Sequence, residues 1–185
     1  MRRRGHRVVA ATAILLVALS SSVQAEASRH SKKREQAATP ATPADKRDRV
    51  VTAPGTPFHG KAYWQAAAQC GGIFFKLGTV YSDAAIRAKV IKPDPAAYTR
   101  FTKQADDANK TATAYFDAAE RFLMADRKLA RDDAVITYDP TATDSGERVK
   151  TAEAALAAAK PCPDLYKACR GAFPQVCNDS AALTN

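Results

Sequence analysis

The sequence predicts an all-α fold: a long antiparallel helical hairpin with two shorter helices packed on its base, a helical bundle braced by disulfides. Three observations predict it. Two long stretches carry apolar residues at alternating steps of four and three, a proline-rich break separates them, and four cysteines follow an export-type leader.

The leader comes first. Met1-Arg2-Arg3-Arg4-Gly5-His6-Arg7 is a positively charged start, Val8 to Leu19 is an almost unbroken apolar run, and Val23 and Ala25 stand at the −3 and −1 positions of a cleavage site. Charged start, short apolar core and small exit residues make a secretory signal peptide over residues 1–25. The apolar run is shorter than the roughly 20 residues a transmembrane span needs. The mature chain is therefore expected to be secreted or periplasmic after cleavage near Ala25, with no membrane span of its own.

Removing the signal's four arginines leaves 24 bases against 19 acids, a net of +5 rather than +9. Residues 26–57 hold seven of those bases and four of those acids, so only +2 remains from Phe58 onward. A nucleic-acid-binding domain concentrates its bases on one face; this balance argues against that class of partner. Residues 26–57 also contain four prolines and, apart from Val50-Val51, hardly an apolar residue larger than alanine. Such a segment buries too little to offset its ordering entropy and is expected to be a flexible spacer. Its Lys32-Lys33-Arg34 and Lys46-Arg47 pairs would otherwise suit an anionic lipid or cell-wall polymer.

The helical bundle domain is expected over residues 58–185. Tyr63, Ala67, Cys70, Phe74, Leu77, Tyr81, Ala84, Ala88 and Ile91 form a heptad seam on a helix from about Lys61 to Val90. Lys92-Pro93-Asp94-Pro95 breaks it, with Asp94 placed to cap the next helix and Pro95 at its first position. The second seam is Tyr98, Phe101, Ala105, Ala108, Ala112, Tyr115, Ala119 and Phe122, interrupted by Asp126, on a helix expected to reach Arg131. The alanines of this seam and Gly71 and Gly78 beside the first allow close helix approach. Gly71-Gly72 is the weakest point of the first helix, where a kink or a ligand-binding opening is conceivable. Asp132 to Thr143 reads as a loop holding one strand-like run, Val135-Ile136-Thr137-Tyr138. Asp144 and Glu147 then read as a capping box for a third helix ending at Pro161, and Pro163-Asp164 as the start of a short fourth.

Four cysteines in an exported chain imply two disulfides among Cys70, Cys162, Cys169 and Cys177. Seven helical residues put Cys162 and Cys169 ~10 Å apart, which argues against joining them. With the third helix climbing beside the first and the fourth descending, the expected pairs are Cys70–Cys169 and Cys162–Cys177. The spacings lack the C-x-x-C pattern of a metal site.

The usual catalytic and cofactor motifs are missing: no G-x-S-x-G, P-loop, H-E-x-x-H, EF-hand loop or C-x-x-C-H, and only His30 and His59 follow the leader. No cofactor or metal is expected. Helices of ~45–55 Å cannot be covered along their whole length by a third helix of ~24 Å. The turn-side arm, carrying Tyr81, Ile86, Val90, Ile91, Tyr98 and Phe101, is therefore the expected partner-binding surface unless Val135–Tyr138 or the C-terminal tail folds over it. The function expected is a non-enzymatic interaction module (an adaptor, accessory subunit or inhibitor), engaging another envelope or extracellular protein or a second copy. The alternatives are a carrier of a small apolar or metal-containing ligand between helices, and an enzyme without a recognisable motif.

Overall fold

The structure, a computed structural model, describes residues 45–177. The leader, residues 26–44 of the spacer and the last eight residues lie outside the described residues. The described chain is an all-α bundle: α1 (Tyr63–Ile86), continued by a π-helical turn (Arg87–Ile91), then α2 (Pro95–Arg127), α3 (Arg131–Arg148), α4 (Ala152–Ala159), α5 (Cys162–Ala172) and a short α6 (Pro174–Cys177). Both seams lie on helices as expected, but α2 ends at Arg127 instead of reaching Arg131, because Lys128 turns left-handed (φ 58°) and Arg131 opens α3. Asp94 caps α2 by accepting a hydrogen bond from the Ala97 amide at 2.9 Å, with Pro95 in the first turn. In the middle of α2, Ala105, Ala108, Ala112, Tyr115, Ala119 and Phe122 are buried against α1.

The N-terminal half of α1 is buried on nearly every side: Tyr63, Trp64, Ala66, Ala67, Ala68, Cys70, Gly71, Gly72 and Ile73 lie inside, and only Gln65 and Gln69, four residues apart, form a half-buried polar strip. A helix so largely apolar must be sheathed, and α2, α3, α5 and the segment before Tyr63 supply the sheath. Gly71-Gly72 neither breaks nor kinks the helical assignment. A Cβ on Gly71 would strike the Phe116 ring of α2, and one on Gly72 would strike the Ala142 carbonyl of α3. The glycines serve contact with α2 and α3.

Three expectations are corrected. The Asp132–Thr143 loop is instead part of α3, which presents Ala134, Tyr138, Thr141, Ala142 and Ser145 as buried residues. That spacing is a helical face, and its burial outweighs both the β-branched run and Pro140, which costs a helix interior about 3 kcal/mol. Asp144 then lies inside α3, paired with Arg148 at 2.7 Å, and Thr151 caps α4 instead. The helix expected from Asp144 to Pro161 is thereby reduced to the eight residues of α4.

The second correction follows from the first. Because the climb beside α1 is made by α3, Val149 and α4 reach the level of Ile73, Leu77 and Tyr81, where they form a second core cluster. The chain turns back at once, and the first cysteine after that apex meets Cys70. The disulfides are Cys70–Cys162 and Cys169–Cys177, with Cα–Cα distances of 5.8 and 6.1 Å. Cys169 lies two helical turns farther down α5, where α6 curls back to it and the Tyr166 hydroxyl donates to the Cys177 carbonyl.

Third, the spacer's C-terminal part, residues 45–57, is packed on the bundle, so the folded unit begins before Phe58. Val50 bridges to Ala62, and the Val51 amide donates to the Lys61 carbonyl at 2.8 Å. Val51 is buried, and so is Asp48. The Asp48 carboxylate takes both Arg127 nitrogens, Nε at 2.8 Å and an Nη at 2.7 Å, and the Trp64 indole N–H at 3.0 Å. Arg127 also lies over the Trp64 ring, 5.1 Å from its centroid. One residue on, Arg49 bonds Asp126 at 2.7 Å and sits against the Phe122 and Phe173 rings at 4.8 Å. Asp126 interrupts the α2 seam because it faces this arginine.

Two predictions follow from these tethers. In the chain-entropy account, a closed loop contributes through its length: sequence separations of 92 and 8 correspond to about 4.6 and about 2.6 kcal/mol. Replacing Cys70 and Cys162 with serine should lower the urea midpoint more than replacing Cys169 and Cys177, and non-reducing peptide maps should join Cys70 to Cys162. Burial alone would push the Asp48 carboxyl up, but the bonds from Arg127, Trp64 and the Asp45 amide outweigh it and hold it below the usual carboxylate range. A carboxyl with a lowered folded pKa contributes stability above its unfolded value, about 3.9, and loses it as pH falls through the folded value. Asp48→Asn, which strands a buried guanidinium, should cost about 3–5 kcal/mol at neutral pH. The variant's stability should also fall less steeply than the parent's below pH ~4.

Candidate interaction surface

The sheath around α1 opens on one side at Phe75 and Thr79, which are exposed, and ends at Tyr81, half-buried at the edge of the second core cluster. Beyond it the hairpin continues through the π-helical turn to Pro95 and back along α2. Among the described residues, α3 to α6 do not cover this tip: Val135–Tyr138 belongs to α3 on the base. The C-terminal tail lies outside the described residues.

The six expected surface residues divide into two groups. Tyr81 and Phe101 stack across the hairpin with centroids 6.3 Å apart and planes at 22°. Tyr98 carries the Lys89 ammonium over its ring at 5.4 Å. These three aromatics are half-buried and close the hairpin on itself. Ile86, Val90 and Ile91 instead stand 59, 69 and 74 % exposed, which is enough to make them surface. Burying one large aliphatic side chain fully is worth roughly 1.5–3 kcal/mol, so three within six residues are a sizeable unused driving force.

The π turn explains why Ile91 left the seam. The Lys92 amide donates to the Arg87 carbonyl at 3.1 Å, five residues back, and the Asp94 amide donates to Ala88 at 2.8 Å. One extra residue in the turn advances the helical phase, so Ala88 stays buried while Ile91 swings out.

Arg87, Lys89 and Lys92 alternate with these aliphatics along the chain, and Arg100 and Lys103 follow on α2, all exposed. From Asp83 to Lys103 five bases meet two acids, a net of +3, and one of those acids is Asp94, engaged in capping α2. The other described residues hold fifteen bases and fourteen acids, a net of +1. Whole-domain counting hid this concentration; a count by segment would have found it. Under the turn lies an open hollow of about 630 Å³, with Ala84, Ala88 and Phe101 at its floor and Arg87 and Lys92 on its rim.

A second concavity, about 530 Å³, lies where α1 crosses α3, with Phe75 and Phe116 flanked by Lys76, Asp139 and Glu147. Its floor is the contact between Gly72 and the Ala142–Gly146 stretch. His59 and Met124 are both exposed, and no cluster of three or more metal-ligating side chains occurs among the described residues. No described helix is long and apolar enough to cross a membrane. Comparison with protein-family models, with curated proteins and with solved structures finds no match.

The crossing yields a direct test. Gly72→Ala should destabilise the fold by about 1–3 kcal/mol despite alanine's better helix propensity, because two backbones must move apart. Gly171→Ala, where a Cβ meets nothing within 4 Å, should be neutral or stabilising by up to ~1 kcal/mol. Equal effects in chemical denaturation would remove the close crossing from the account.

Proposed function

We propose that this chain is an exported, non-enzymatic interaction module that docks through the tip of its helical hairpin. The observation that carries the reading is the cluster of Ile86, Val90 and Ile91, exposed on a tip that the other described helices leave uncovered. Two disulfides and the absence of a membrane-crossing helix among the described residues are compatible with a periplasmic or extracellular setting. In the base a buried ion pair, disulfides and aromatic stacks hold the hairpin, and Phe75, Ile136 and Leu156 are exposed there, but only at the tip, among the described residues, do exposed aliphatics alternate with bases. A ligand-carrier role would use an open hollow, the cleft at the α1–α3 crossing or the one under the turn, each lined by both apolar and charged side chains.

The tip's role is tested in the native envelope. The parent chain is expected to be recovered with envelope material after gentle lysis, and Ile86→Asp/Ile91→Asp to appear in the soluble exported fraction with unchanged helicity by circular dichroism. Identical fractionation of the two chains would show that the tip does not dock.

A further inference from the structure

Resting on that reading, we infer that the tip's partner is the surface of an anionic lipid bilayer, which the aliphatics enter and the surrounding bases hold. The argument is charge complementarity joined to shape. Ile86, Val90 and Ile91 are interleaved with Arg87, Lys89 and Lys92 within seven residues, and Arg100 and Lys103 add to the same end from α2. Long basic side chains can lay their stems along apolar surface while their heads stay at the level of phosphates. Apolar residues flanked by Lys and Arg are the pattern of interfacial membrane binding.

A second copy fits poorly, because a symmetric tip-to-tip contact would press two rings of +3 together. A protein partner fits less well than a bilayer, since lysine is depleted from protein interfaces and three of the five tip bases are lysines. The tip is also the end of a two-helix arm, and the hollow under its turn, which Asp94 lines as well, combines a basic rim with an apolar floor. Arg87 and Lys92 stand at the rim of that hollow and an apolar floor of Ala84, Ala88 and Phe101 lies beneath. The bilayer is touched and not crossed: no described helix can span it.

The test uses the purified exported chain and protein-free vesicles, either phosphatidylcholine alone or equal parts phosphatidylcholine and phosphatidylglycerol. The parent should float with the anionic vesicles and not with the neutral ones, and lose binding as salt shortens the reach of the charges. Val90→Asp/Ile91→Asp should lower partitioning by about tenfold or more. Lys89→Glu/Lys92→Glu, which turns the tip from +3 to −1, should abolish the preference for anionic vesicles. Ile91→Trp keeps the tip apolar and gives a readout that no unfolding can mimic: its emission should shift to the blue with anionic vesicles only, while buried Trp64 reports an intact base. Absence of binding by the parent, equal binding to both vesicles, or binding retained by Val90→Asp/Ile91→Asp would each overturn the inference. Should the parent ignore vesicles yet be released from the envelope by Ile86→Asp/Ile91→Asp, the partner is a protein or a polymer: the lipid inference falls and the docking role stands. If neither experiment shows tip dependence, both fall.

Discussion

The burial of one helix on nearly every side governs the rest of this structure. The first three turns of α1 bury Tyr63 and Trp64, three alanines, Cys70 and two glycines, and leave only the narrow strip of half-buried Gln65 and Gln69 near water. Every other element of the base is placed by that demand. Helix α2 covers one side with an alanine-rich seam, α3 crosses another so closely that Gly72 admits no side chain, and Cys162 fixes the return of the chain at Cys70. The segment before Tyr63 completes the sheath by putting Val51 and Phe58 into the core. Coverage stops where α1 ceases to be largely apolar, near Tyr81, and the arm beyond is a simple two-helix hairpin held by its own aromatics.

The buried pair of Asp48 and Arg127 has a different role from the apolar sheath. Desolvating two charges consumes most of what their attraction returns, so such a pair adds little net stability compared with a well-packed apolar contact. Its geometry is what matters. The Asp48 carboxylate is met by a guanidinium fork and an indole N–H at once, and the same guanidinium lies over the indole ring. Only one placement of the segment satisfies all three groups. A slip of one residue would put Arg49 where Asp48 stands, facing Arg127. The network therefore specifies register for a stretch whose few apolar anchors, Val51 and Phe58, would tolerate several.

Much of the hairpin was legible because heptad spacing and an Asp-Pro cap are local signals. The α1 and α2 seams, the break at Pro93 and the start of α2 at Pro95 could be read residue by residue. What could not be read depends on distant partners. Val135-Ile136-Thr137-Tyr138 and Pro140 look unlike a helix until Ala134, Tyr138, Thr141 and Ser145 are seen to share one buried face against α1. Once that helix was missed, the height of every later element was misjudged, and the cysteine pairing with it. Asp48 and Arg49 were hidden for a related reason: composition averages a segment, whereas each of these residues is held by one specific partner far along the chain. At the tip the exposed aliphatics were legible from helix lengths alone. The π turn that expels Ile91 was not, since no residue between Arg87 and Lys92 announces an extra residue per turn.

The tip's composition reconciles two demands that usually conflict. Three exposed aliphatics on a protruding arm would ordinarily invite aggregation. In the run from Ile86 to Lys92 each of them has a base as a sequence neighbour. Neighbouring charge keeps such a surface hydrated and makes two tips repel, so the apolar residues can remain exposed without finding one another. The same charges do not oppose a negatively charged surface; they draw it in, and contact then releases water from Ile86, Val90 and Ile91 together. On the proposed docking role, protection against self-association and selection of an anionic partner arise from one arrangement.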